Sequence, residues 1–245
     1  MKILVCITHV PDTTSKINFI DNNTKFDTTG VQYIIGPYDD YALARAVELK
    51  DSHKATVTVL NVGGAETEPT IRKALAIGAD DAIRVNADPT DSYFVAYQIA
   101  EQTKAGGFDL VLTGRESIDF NGGVVHSLVG EFLGWPSLSP VMKLELDGTK
   151  ATLAREIEGG KEQIEVNLPF VAGCQEPIAE WKIPNMRGIM SARTKPLKVV
   201  EPASIEKTTV LKSFDLPPAK GSVKMISADN VAELVARLRT EAKVL

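Results

Sequence analysis

Residues 109–134 read DLVLTGRESIDFNGGVVHSLVGEFLG, and this stretch decides the fold. Within Asp109–Thr113, Leu110-Val111-Leu112 is an unbroken aliphatic run, as a strand buried on both faces of a sheet should be. Gly114 ends it. A loop with two adjacent glycines, Gly122 and Gly123, then leads straight into a helix, Val124–Leu133, closed by Gly134 and Pro136. Strand, glycine loop and helix in immediate succession form the repeating unit of a parallel α/β sheet.

Working outward, the same grammar fills the first half of the chain. Ile3–Thr8, Thr56–Asn61 and Ala82–Val85 read as further strands. Between them lie helices with apolar stripes: Ala42, Leu43, Ala46, Val47 and Leu49 after an N-cap at Asp39, then Ile71, Ala74 and Leu75 before Gly78. A third helix, capped by Asp91 or Ser92, runs to Lys104. Right-handed crossovers then predict a mainly parallel open sheet with helices on both faces. Ile17–Ile20 and Val31–Ile35, either side of Asp21-Asn22-Asn23, look like a small hairpin excursion.

After Pro136 the pattern changes. Lys143–Leu146, the Asp147-Gly148 turn and Ala151–Ile157 read as a β-hairpin, followed by strands at Glu162–Val166 and Pro169–Cys174. From Gln175 to Val223 no periodicity persists and prolines recur, which suggests an extended arm lying on another surface. Asp229 then caps a helix through Lys243 with Val231, Leu234, Val235 and Leu238 as its stripe. The expected division is an α/β domain at 1–174 and a recognition loop, arm and terminal helix at 175–245.

The 245 residues suffice for a substantial core, and 44% hydrophobic with 24% charged residues excludes whole-chain disorder. No apolar run is long enough for a membrane-spanning helix, and the N-terminal MKILVCITHVPD lacks a signal-peptide cleavage site. Cys6 and Cys174 give neither a disulfide framework nor a metal spacing, so a reducing cytoplasm is expected. A net charge of −5 argues against nucleic acid as a partner.

Ligands of open parallel sheets sit beyond the carboxyl ends of the strands, where strand order reverses. Three segments fall at such ends: Cys6-Ile7-Thr8, Val62-Gly63-Gly64 and the long loop from Gly114. Glycines let backbone N–H groups approach an anion, and a helix N-terminus adds about half a positive charge. The arrangement suits a nucleotide phosphate; the plainer reading is an ordinary strand–helix turn. Neither a G-x-G-x-x-G fingerprint nor a P-loop is present, and the S-G-G-x-D-S pyrophosphatase loop is missing. His9, His53 and His126 lack metal spacing, and no nucleophile has a base beside it, so the chain reads as a binder rather than a catalyst. His126, in the first turn of the loop helix, is the histidine placed to face a ligand. Residues 182–198, KIPNMRGIMSARTKPLK, carry Lys182, Arg187, Arg193, Lys195 and Lys198 without an acid, with Met186, Ile189 and Met190 among them. That composition suits docking onto an acidic protein surface.

Four segments carry a resemblance to the β subunit of electron transfer flavoproteins along nearly the whole chain. They are KILVCITHVPD at the start, Gly36-Pro37-Tyr38-Asp39 with ALARAVELK, TIRKALAIGAD at 70–80, and AREIEGGKEQIEVNLPFVAGC at 154–174. The last two resemble specific family signatures. The resemblance implies a Rossmann-like fold of the adenine-nucleotide-hydrolase type and a heterodimer with an α subunit that holds most of one flavin adenine dinucleotide. It implies electron flow from acyl-CoA or related dehydrogenases, as in fatty acid oxidation, to a membrane quinone oxidoreductase, and adenosine monophosphate in the β subunit. Cofactor contacts would fall on Cys6, Gly36, Pro37, Tyr38, Asp39 and Val62, and on Gly114, Arg115, Glu116, Ser117, Ile118, Asp119, Phe120, Asn121, Gly122, Gly123, Val124 and Val125. Tyr38 would lie near the flavin. Met186 would be the hydrophobic anchor of dehydrogenase docking, helped by Arg187, Ile189, Met190, Arg193 and Lys195.

The glycine loop departs from the family's D-x-D-x-x-Q-[VT]-G pattern. Val124 cannot make glutamine's hydrogen bonds, His126 stands where a glycine leaves room for phosphate, and Phe120 adds bulk. These departures weigh against adenosine monophosphate binding in its usual way. Two other readings stand beside the first: a bifurcating relative with a second flavin adenine dinucleotide in the β site, and a free-standing adenine-nucleotide-binding module of the stress-protein type.

Overall fold

The computed structural model describes residues 1–245. Its centre is a nine-stranded sheet. In chain order the contributing strands are β1 (Lys2–Cys6), β6 (Thr56–Val62), β7 (Asp81–Val85), β8 (Leu110–Gly114), β9 (Ser137–Asp147), β10 (Lys150–Ile157), β11 (Gly160–Asn167), β12 (Phe170–Cys174) and β13 (Leu197–Val200). Across the sheet they run β11-β10-β9-β12-β8-β1-β6-β7-β13. From β9 to β13 every neighbouring pair is parallel; β10 and β11 add an antiparallel meander at one edge. The chain starts in an interior strand, β1, goes one way through β6 and β7, and returns through β8 on the other side. Strand order therefore reverses between β1 and β8.

The buried strands explain why their sequences do not alternate with polar residues. Ile3 and Val5 face one side, with Val57 and Val59, against helices α1 (Pro37–His53) and α2 (Glu68–Ile77). Leu4 and Cys6 face the other, with Leu60 and Val111, against α3 (Ser92–Gly106) and α4 (Val125–Leu133). Both faces are covered, so both sets are apolar. Each fully buried side chain of this kind contributes about 1.5–3 kcal/mol.

Four details differ from the sequence reading. The excursion is two nested hairpins: β2 (His9–Pro11) pairs with β5 (Tyr33–Ile35), and β3 (Phe19–Ile20) pairs with β4 (Lys25–Phe26) around Asp21–Asn23. All three of those turn residues have positive φ, and Asp and Asn are among the residues that tolerate it best. Asp39 is not the cap of α1. Gly36 is the N-cap and Pro37 opens the helix, a position where a missing N–H costs nothing. The terminal helix α6 spans only Val231–Arg237, capped by Asn230, and then widens into a π-turn over Leu238–Ala242.

The fourth difference is the arm. Its first part lies on its own body: α5 (Met186–Ala192) packs on α2, and β13 completes the sheet beside β7. One strand of the α/β unit thus comes from beyond Cys174, and a single short strand joined by loops leaves no periodicity to read. Farther on, Asp91 caps α3 with one oxygen, accepting from Phe94 N at 2.6 Å. With the other it accepts from the N–H and hydroxyl of both Thr208 and Thr209. Phe214 stacks on Phe19 at 4.6 Å. After Ala192 no residue is buried, and along 215–245 Leu216, Val223, Met225, Val231 and Leu245 are all at least 60% exposed.

Candidate nucleotide cleft and docking surfaces

A cleft of about 180 Å³ opens beyond the carboxyl ends of β1, β6 and β8, at the reversal of strand order. It is more than tenfold larger than the space a single water needs. Its floor is built by a strap under β1 and β8. The Asp39 carboxylate accepts from Thr8 N at 2.8 Å, Thr8 Oγ1 at 2.6 Å and Gly114 N at 2.9 Å. It thereby ties the first turn of α1 to the ends of two strands. The approach is close enough that a methyl on Gly36 would sit 2.3 Å from Thr8 Oγ1, and one on Gly114 2.5 Å from Asp39 Oδ1. Glycine is required at both positions. Burial pushes the Asp39 carboxyl up to about 6, although its three donors pull the other way.

Of the cofactor residues expected from sequence, Cys6, Asp39, Val62, Gly114, Arg115, Glu116, Ser117, Asp119, Phe120, Gly122 and Val125 line the cleft. Gly36, Pro37, Tyr38, Ile118, Asn121, Gly123 and Val124 do not. The Arg115 guanidinium lies 5.0 Å from the Tyr38 ring centroid and donates to Gln175 Oε1 at 2.9 Å, forming a ridge beside the cleft. Sequence reasoning passed over Asn61, Glu66 and Ser92, which also line it. Asn61 could have been noticed as a polar residue ending an otherwise apolar strand.

The glycine loop closes on itself. Ser117 and Gly122 form an isolated antiparallel bridge, Asp119 Oδ1 accepts from Phe120 N, and Asn121 takes a positive φ. Methyl groups added at Gly122 or Gly123 would meet only ordinary contacts, beyond 3.5 Å. The chain's own packing does not demand glycine there. Helix α4 begins at Val125 with no side-chain cap on its first turn, so its N–H groups are available to an anion. The cleft's charged side chains are Asp39, Glu66, Glu116 and Asp119 against Arg115, and a phosphate would therefore be held by backbone dipoles rather than by cations.

Of the three residues that depart from the family loop, Phe120 and His126 line the cleft and Val124 does not. Phe120 and Val124 are each more than half exposed. His126 is buried, with Nδ1 3.0 Å from Ser127 Oγ, and its carbonyl accepts from Ser137 Oγ at 3.0 Å. Burial lowers its pKa, so the ring at the helix N-terminus is neutral at pH 7. His9 stacks on Tyr33 at 4.2 Å and lies 2.8 Å from Thr70 Oγ1. Both cysteines are buried, and burial pushes both thiols far up; neither is a thiolate nucleophile.

A second surface forms around α5. Arg72 Nη1 donates to the carbonyls of Ala192 and Lys195, at 2.8 and 2.7 Å. Lys195 Nζ donates back to those of Leu75 and Ala79 at the end of α2, at 2.8 and 2.6 Å. Lys195 thus holds the fold and is not a free docking charge, a correction to the sequence reading. Arg187 and Arg193 are exposed. So are Trp181, Ile183, Met186, Ile189 and Met190, with Ile183 and Met186 above 70%. Met186, Ile189 and Met190 lie on α5, and Trp181 and Ile183 on the segment that leads into it.

No helix is long and apolar enough to cross a membrane. The family model for the electron transfer flavoprotein domain matches residues 23–205. Over its whole length the chain is 35% identical to all of the electron transfer flavoprotein subunit beta of Bacillus subtilis. It is 36% identical to that of Syntrophomonas wolfei, covering 91% of this chain and 88% of the relative. To the human protein of the same name it is 29% identical, over 100% and 99%. A parallel sheet with its cleft at the reversal point, matched in full length by these proteins, belongs to the electron transfer flavoprotein family, on the side of its β subunits.

Proposed function

We propose that this chain is the β half of a heterodimeric electron carrier that takes electrons from acyl-CoA or related flavin dehydrogenases and passes them to a membrane quinone oxidoreductase. The observation that carries this reading is the contrast within the arm. Up to Phe214 it is held on its own body, and along 215–245 no residue is buried while Leu216, Val223, Met225, Val231 and Leu245 stand in solvent. Exposure on that scale marks a surface that another chain covers. The covering chain in this reading is an α subunit.

Flavin adenine dinucleotide, held mainly by that subunit, would supply the electron-accepting ring. This chain's residues would do three things. The Tyr38–Arg115 ridge would close one side of the flavin pocket. The cleft would hold a nucleotide, its phosphate against the uncapped turn of α4. The Met186 face of α5 would seat the dehydrogenase, with Arg187 and Arg193 meeting acidic groups at the rim. None of these tasks moves a proton or forms a bond, so this chain would turn over no substrate of its own, and the cytoplasm is its expected compartment.

Sedimentation of this chain with and without its co-expressed α subunit tests the reading. A yellow one-to-one complex is expected. A colourless monomer indifferent to α would overturn it. Two flavins per complex instead of one would select the bifurcating form.

A further inference from the structure

We propose that the β3–β4 hairpin guides the arm: it fixes the point at which the chain leaves its own body and so readies residues 215–245 for the α subunit. The hairpin adds little to the body. β3 and β4 are two residues each and pair only with one another, and no residue from Asp12 to Val31 is buried. A two-stranded hairpin of that kind is marginal in water. Its turn is nevertheless exacting. Asp21, Asn22 and Asn23 take φ values of 53°, 55° and 62°, in the left-handed region that few side chains adopt without cost. Thr24 braces the turn, its N–H and hydroxyl both donating to the carbonyl of Asp21. The carbonyl of Asn23, at the end of the left-handed run, accepts from Phe214 N at 2.7 Å. The Phe214 ring stacks on Phe19 at 4.6 Å, with 6° between the planes. Phe19 and Phe214 are both partly covered, while Val210, Leu211, Lys212 and Ser213 are exposed. The arm is therefore gripped twice, by Asp91 at Thr208 and Thr209 and by the hairpin at Phe214, with an open span between. The second grip moves the root of the tail from 209 to 214 and gives it one direction. A segment whose root is already fixed loses less freedom when a partner orders it.

This inference rests on the reading that an α subunit covers the tail. Calorimetric titration of the full-length chain with α tests it, in the unaltered protein, Phe19→Ala, Phe214→Ala and the double variant. Neither side chain belongs to the tail and neither is buried, so circular dichroism and the urea midpoint of the body should stay as they are. Each single variant should bind α about three- to tenfold more weakly, the range an aromatic pair supplies. The double variant should be no weaker than either single one, because the first substitution already opens the grip. Hydrogen exchange of the free chain gives a second readout: the amide of Phe214 should exchange faster in Phe19→Ala. Unchanged affinity in both single variants sinks the proposal. So do losses that add in full in the double variant, since each ring then touches α on its own account, and so does unchanged exchange at Phe214 in Phe19→Ala. If the unaltered chain does not bind α at all, the reading of the tail itself fails and this inference falls with it.

Discussion

Two buried aspartates hold the two halves of this molecule, and they do it in different ways. Asp39 joins α1 to β1 and β8 deep under the cleft, where removal from water outweighs three donors and raises its pKa to about 6. Asp91 caps α3 and gathers four donors from Thr208 and Thr209, and its pKa falls to about 2, its hydrogen bonds outweighing the opposing desolvation. One aspartate is part of the body; the other is the clasp of an arm. Beyond Phe214, which stacks on Phe19, no residue of the chain is buried. The difference teaches that the body buries its own core, while the last thirty or so residues bury nothing against it.

The sharpest way to break that comparison is to remove the strap. Asp39→Ala leaves Thr8 N and Gly114 N without acceptors in the interior and should lower stability by about 2–4 kcal/mol in urea unfolding. The loss should be larger near pH 4 than at pH 8. A carboxyl raised from 3.8 to about 6 in the fold binds its proton more tightly there than in the unfolded chain. Its presence therefore weakens the fold progressively as pH rises through that window and reaches its full penalty above it.

Asp91→Ala comes next, at about 1–3 kcal/mol, since it removes a helix cap together with the arm's anchor. Its pH dependence has the opposite sign. A carboxyl lowered from 3.8 to about 2 stabilises the fold above that interval, and the contribution fades as pH falls through it. Limited proteolysis should show new cleavage near Thr208 in the variant while the sheet stays intact.

Deleting residues 215–245, where nothing is buried, should shift unfolding of the body by less than about 0.5 kcal/mol yet abolish the complex with α in sedimentation. Met186→Asp, at a side chain 72% exposed, should leave both stability and the α complex unchanged. Its effect should appear only in electron transfer from the dehydrogenase, as a raised KM for the dehydrogenase measured by flavin reduction.

Much of this was legible in the residues, and unevenly so. Ile3–Thr8 and Asp109–Thr113 announce themselves because the middle of a strand buried on both faces is apolar without alternation, as in Ile3–Ile7 and Leu110–Leu112. The cleft was legible in part through Gly114 and Gly122, which lie between a strand and a helix and do line it, although an ordinary strand–helix turn reads the same way in sequence. Long-range satisfaction was not. That Asp39 serves Thr8 and Gly114 instead of capping its own helix depends on strands 31 and 75 residues away in sequence. Lys195 looked like a surface charge because nothing local shows that its ammonium ends on the carbonyls of Leu75 and Ala79. Asn61 stayed unnoticed for the same reason.

Amide hydrogen exchange along 215–245, followed by mass spectrometry with and without the α subunit, bears most directly on the division between a self-sufficient body and an incomplete tail. The tail's amides should slow by about tenfold or more in the complex, while those of β1, β6 and β8, already protected, stay as they were. A tail that exchanges at the same fast rate in both samples, although the two chains are bound, would contradict the account.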